Sequence, residues 1–121
     1  MDPGHWEDHL LRRRRAYNRL MEEIMQRDEV LARLRERFPL LQTQFGIGSL
    51  ALFGSVARGD SGPGSDVDLL VTFEGEPTFA RYMGLKEDLE ALLGSPVDLV
   101  TPGGLKSRIR ERVFAELLHV A

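Results

Sequence analysis

The chain has 121 residues, 42% of them hydrophobic and 29% charged, which suits one ordinary folded domain and excludes a disordered chain. It has no cysteine, so disulfides and cysteine–zinc sites are ruled out and a reducing compartment is expected; with no apolar run near the ~18 residues of a membrane span and no signal-peptide core, the expectation is a cytoplasmic protein. The net charge of −3 is uneven: residues 53–101 carry nine acids against three bases, which argues against nucleic acid as a partner, although 14 of the 16 basic residues are Arg.

Asp2-Pro3 reads as the N-cap and first position of a helix. Trp6, Leu10, Tyr17, Leu20, Met21 and Ile24 then recur at three- and four-residue spacing as one apolar stripe. Such a stripe asks for something to pack on, and a second copy of the chain would serve. His5 and His9 are four apart and could share a metal, but no third ligand is in sight, so two exposed histidines are preferred. The run Arg12 to Arg15 suits RNA or an acidic partner, with a solvated helix face the favoured reading.

Asp28 is a second N-cap candidate. Behind it Val30, Leu31, Leu34, Phe38, Leu41 and Phe45 keep helical spacing, with Pro39 expected to break or kink the helix and Gly46 to close it. Ile47–Phe53 and Val67–Phe73 read as two short strands. Thr78 starts a helix with Phe79, Tyr82, Leu85, Leu89, Leu92 and Leu93 on its apolar side, ended by Gly94. Val97–Val100 is a third strand. A last helix is expected to carry Leu105, Ile109, Val113 and Leu117. The mixture lacks a regular βαβ repeat, which predicts an α+β fold: a small sheet backed by helices on one side.

The chemistry gathers between Leu50 and Phe73. The apolar run Leu50-Ala51-Leu52-Phe53 stops at Gly54-Ser55, a glycine-rich loop follows, and the next strand carries Asp66 and Asp68. Alternation along a strand puts these two carboxylates on one face, roughly 6–7 Å apart, with Val67, Leu69, Val71 and Phe73 on the other. Like charges roughly 4 Å apart at an effective dielectric of about 20 repel by about 4 kcal/mol, so the pair makes sense only with cations between them. Gly54-Ser-Val-Ala-Arg-Gly59 has the glycine spacing of a Walker A loop, but Asp60 stands where that motif needs Lys, and an acid there repels phosphate. A strand, Gly-Ser and a helical turn nonetheless make a reasonable phosphate cradle, with Gly54 admitting backbone N–H groups and Ser55 adding a hydroxyl. Asp98 is the polar member of the apolar run Val97-Asp98-Leu99-Val100, so it should face the same opening as Asp66 and Asp68. Three aspartates from two strands beside such a turn can hold two Mg²⁺ for phosphoryl or nucleotidyl transfer.

Gly54-Ser55, ten intervening residues and Asp66-Val67-Asp68 resemble the GSx10DxD signature of the DNA polymerase β-like nucleotidyltransferase superfamily. The Gly-Ser-Val-Ala-Arg-Gly wording and the Pro-Val-Asp-Leu-Val strand resemble its minimal branch, the MNT antitoxins of HEPN/MNT toxin–antitoxin pairs. The resemblance covers roughly Arg27 to Val120. It implies a nucleotidyltransferase fold over residues 27–121, with 1–26 an additional N-terminal helical segment. It also implies roles: Asp66 and Asp68 bridging two Mg²⁺, Asp98 completing the second metal site and favouring deprotonation of the acceptor, and Gly54 and Ser55 holding the β- and γ-phosphates of ATP. Arg58 would neutralise phosphate charge or brace the loop, and Arg81 and Lys86 are weaker phosphate candidates. AMP would pass to a hydroxyl, foremost a tyrosine of a cognate HEPN toxin, since a chain this short leaves no room for an acceptor-gripping domain. The alternatives are a non-catalytic antitoxin acting by binding, and transfer to a small molecule or an RNA end by a homodimer.

Overall fold

The computed structural model describes residues 3–62 and 65–121, and the side chains within them except those of residues 3–6, 20 and 22–25. The cap at Asp2, the histidine pair through His5, and the side chains of Trp6, Leu20 and Ile24 therefore lie outside the described residues.

One helix, α1, runs unbroken over Pro3–Phe45, where the sequence suggested two. Asp28 does not start a new helix: no glycine or proline stands between Gly4 and Pro39, and Asp28 remains helical while pairing with Arg27 at 3.1 Å. Pro39 does not end the helix either. It sits on the exposed side, where water can meet the carbonyl it leaves unpaired, and its own carbonyl accepts the Thr43 hydroxyl at 3.0 Å. The opposite side buries Val30, Leu31, Leu34, Phe38 and Leu41, the spacing the sequence predicted. Leu10, Tyr17 and Met21 are exposed, so the first half of the helix leaves this part of its stripe uncovered.

The remaining elements are β1 (Ile47–Phe53), α2 (Gly54–Arg58), β2 (Val67–Phe73), α3 (Phe79–Leu93), β3 (Val97–Val100), a 3₁₀ turn (Pro102–Gly104), α4 (Ser107–Ala115) and β4 (Leu118–His119). The sheet order is β3-β2-β1-β4; β1 is antiparallel to both neighbours and β2 is parallel to β3. This is the expected α+β architecture. Leu50 and Leu52 of β1, Val67, Leu69 and Val71 of β2, and Val97 and Leu99 of β3 form one apolar face, which α1 and α3 cover. Thr78 caps α3 by accepting the Arg81 N–H at 3.1 Å, and Gly94 ends it at φ 66°.

The C-terminus departs from expectation. The last helix ends at Ala115 and buries only Val113, while Leu118 and His119 pair with Leu52 and Ala51 of β1. The four-residue spacing of Leu105, Ile109, Val113 and Leu117 is helical in form, but edge pairing with β1 satisfies backbone groups that another helical turn would leave facing water.

Candidate active site

β2 and β3 run parallel in a register that sets Asp68 directly beside Asp98, and the antiparallel register with β1 sets Phe53 on the other flank of Asp68. Cross-strand neighbours point to the same face, so the carboxylates of Asp68 and Asp98 are adjacent on the side opposite the main core. Two contacts hold β3 in place: the Tyr82 hydroxyl donates to the Leu99 carbonyl, and the Val97 N–H donates to the Glu90 carboxylate at 3.1 Å. Asp98 is exposed at this opening, the face it was expected to share with Asp66 and Asp68. Asp66 is also exposed and lies just ahead of β2.

The turn after β1 brings Gly54 against this pair. Gly54 has φ +75°, and a Cβ there would overlap the Asp68 carboxylate, so backbone conformation and space both require glycine. α2 follows at once, burying Val56 and Ala57 and leaving Ser55 half-exposed. Gly59, at φ 74°, closes it, and the Asp60 N–H returns to the Ser55 carbonyl at 3.0 Å.

Burial and the charges of Asp98 and Asp66 push the Asp68 carboxyl up to about 6, with Arg58 the opposing influence. Asp68 and Asp98 are direct neighbours across the parallel pair β2 and β3. Such a cluster of hard oxygen donors has the chemistry to hold a divalent cation such as Mg²⁺. Among the described residues no three acidic, histidine or cysteine side chains enclose one point, so Asp68 and Asp98 form the close pair and Asp66 adds charge from outside it. Like-charge repulsion opposes any tighter closure of three carboxylates.

Arg58 is braced by two acids. Its Nε donates to Asp60 Oδ2 at 3.1 Å, and its Nη1 donates to both oxygens of Glu116 at 3.2 and 3.1 Å. Glu116 Oε1 also accepts the Gly54 N–H at 3.3 Å. No local signal in the sequence could have joined Glu116 to Arg58, because the two are 58 positions apart. Arg81, read as a phosphate candidate, is instead engaged elsewhere: its guanidinium donates to the Phe45 carbonyl at 2.7 and 3.0 Å and to Gly46 at 3.0 Å. Those are the carbonyls at the end of α1, which a planar donor fork satisfies together.

The nucleotidyltransferase domain family matches residues 27–119. The chain belongs to that family. This nucleotidyltransferase is 45% identical over 80 residues to MntA, a protein adenylyltransferase of Thermococcus cleftensis, covering 66% of this chain and 81% of the relative. A solved structure provisionally assigned as a minimal nucleotidyltransferase is 43% identical with a TM-score of 0.64, covering 74% of this chain and 92% of the other. A chain of a toxin–antitoxin solved with AMP-PNP shares the fold at 21% identity, with a TM-score of 0.60 and 72% of each chain covered. Among the described residues no helix is long and apolar enough to cross a membrane.

Proposed function

We propose that this nucleotidyltransferase is a Mg²⁺-dependent protein adenylyltransferase that moves AMP from ATP to a hydroxyl, foremost a tyrosine of a cognate HEPN toxin, and so acts as an antitoxin. The observation that carries the reading is the register pair Asp68–Asp98 set against Gly54, in a chain 45% identical to a protein adenylyltransferase. The shared fold of the toxin–antitoxin solved with AMP-PNP supports ATP as donor and a toxin as partner.

In this reading Asp66, Asp68 and Asp98 hold the cation, and the raised Asp68 carboxyl marks a site where positive charge is favourable. When bound, Mg²⁺ would neutralise the triphosphate and make the acceptor hydroxyl more acidic, so that its proton is lost more easily. Gly54 and Ser55 receive the β- and γ-phosphates, and Arg58 adds a fixed positive charge beside them. Asp98 favours loss of the acceptor proton. The acceptor oxygen then bonds to the α-phosphorus, the bond from that phosphorus to the β-phosphate oxygen breaks, and pyrophosphate leaves.

The test incubates the protein with its neighbour-encoded partner, expected to be a HEPN protein, Mg²⁺ and α-labelled ATP. Label should appear on a partner tyrosine and vanish with Asp66→Ala and Asp68→Ala combined; label that stays off the partner, or survives that double substitution, counts against the proposal. A second reading, an antitoxin acting by contact alone, draws on the three carboxylates not enclosing one point. Toxin neutralisation that persists in the double variant would favour it.

A further inference from the structure

We infer that Glu116 is a positioning residue for nucleotide binding, fixing Arg58 from the junction of α4 and β4 so that its outer nitrogen meets the triphosphate; this rests on the assignment of Arg58 to phosphate above. Arg58 has three nitrogens. Nε is taken by Asp60 and Nη1 by Glu116, and among the described residues no hydrogen bond ends on Nη2. Two carboxylates gripping a planar guanidinium at Nε and at Nη1, on either side of Nη2, fix its orientation and leave the Nη2 N–H groups for a ligand.

The two grips are unequal. The Asp60 side chain is 59% exposed, whereas that of Glu116 is 20% exposed, so the Glu116 contact is less screened by water, although Asp60 contributes more to holding the Arg58 charge. Glu116 also accepts the Gly54 N–H, so one carboxylate fixes both the start of the turn and Arg58; that N–H is thereby taken, and the Ser55 hydroxyl and Arg58 Nη2 are left for the phosphates. Its own place is set by the elements around it: Val113 is buried one turn before it, and two residues after it Leu118 pairs with Leu52 on β1. The short β4 strand thereby acquires a use. It holds the C-terminal segment against the edge of the sheet, which keeps the Glu116 carboxylate within reach of Arg58. An arginine held in its binding orientation before the ligand arrives loses less conformational freedom on binding, and that difference appears in affinity.

The experiment titrates the full chain and its variants with AMP-PNP and Mg²⁺, alongside steady-state AMP transfer. Glu116→Ala should raise the AMP-PNP Kd and the KM for ATP together, by roughly three- to tenfold, the effect of freeing one side chain, with kcat within about twofold. Glu116→Gln keeps an acceptor oxygen for Arg58 and should bind more tightly than Glu116→Ala. Should Glu116→Ala fail to fold, Glu116→Asp keeps the charge, withdraws it from Arg58, and should show the same loss of affinity. The combination Arg58→Ala with Glu116→Ala should bind no more weakly than Arg58→Ala alone, since Glu116 acts through Arg58. Wild-type or tighter AMP-PNP binding in Glu116→Ala, or losses that add in the combined variant, would overturn the inference. If Arg58→Ala binds normally, the assignment of Arg58 to phosphate is what fails; if Arg58→Ala is weak and Glu116→Ala is not, only the role of Glu116 falls.

Discussion

Asp68 faces burial and two like charges at once, with Arg58 the one named group that opposes them. Its carboxyl is raised from 3.8 to about 6 in the folded state, so between those values the native protein keeps a proton that the unfolded chain has lost. The stability this contributes is complete below 3.8 and disappears as pH rises through about 6. At neutral pH the charged carboxylate therefore weakens the fold, and Asp68→Asn should raise Tm by roughly 3–5 °C, in melting curves whose difference closes below the ordinary carboxylate range. With Asp68 in its proposed role as a metal ligand, the same variant should lose AMP transfer by roughly 10²-fold or more, because an amide cannot replace an anionic ligand. Higher stability with lower activity is the signature of a site kept under strain for its work. Gly54→Ala is expected to do the reverse to stability. A left-handed backbone and overlap with Asp68 together should cost about 1–3 kcal/mol in denaturant melts, with labelled AMP transfer lost as Asp68 is displaced.

α1 and its exit into β1 show how one side chain secures an element. Arg81 gathers the carbonyls of Phe45 and Gly46 and lies 5.5 Å over the Phe73 ring, so it joins the end of the long helix to α3 and the sheet. Arg81→Ala should destabilise the protein by about 2–3 kcal/mol in chemical denaturation, with the AMP-PNP Kd unchanged. Arg81→Lys should recover little, because a point charge cannot reproduce the planar fork. An affinity loss in Arg81→Ala at unchanged stability would return Arg81 to the nucleotide site.

Across the molecule, packing begins well inside α1. Leu10 is 61% and Tyr17 62% exposed, whereas from Val30 onward the apolar side of the helix is buried. Removing residues 1–25 should therefore leave Tm within about 3 °C and AMP transfer intact, since the described side chains among them, those of residues 7–19 and 21, are exposed and contribute little to stability. A collapse of Tm would show that the first half of α1 belongs to the domain matched over residues 27–119. Arg58, a base within the acidic stretch 53–101, is held close to the aspartates by Asp60 and by Glu116 of the C-terminal segment.

Short-range signals were legible. The strands Ile47–Phe53, Val67–Phe73 and Val97–Val100 begin and end where alternation and turn residues place them, and Thr78 and Gly94 bound α3 as capping rules require. Gly54-Ser55 and the two aspartates ten residues on pointed to the family, because its signature sets particular residues at a fixed short spacing. Helix continuity through Asp28 and Pro39 was not legible. A cap residue only permits a boundary, and the buried stripe from Val30 to Leu41 carries the helix past both positions. The cost of burying a carboxylate did place Asp98 at the opening with Asp66 and Asp68, but local pattern could not reveal β4, the register that pairs Asp98 with Asp68, or the grip of Glu116 on Arg58. Each joins parts of the chain 30 or more residues apart, and hydrogen-bond register and side-chain reach exist only after the strands have paired.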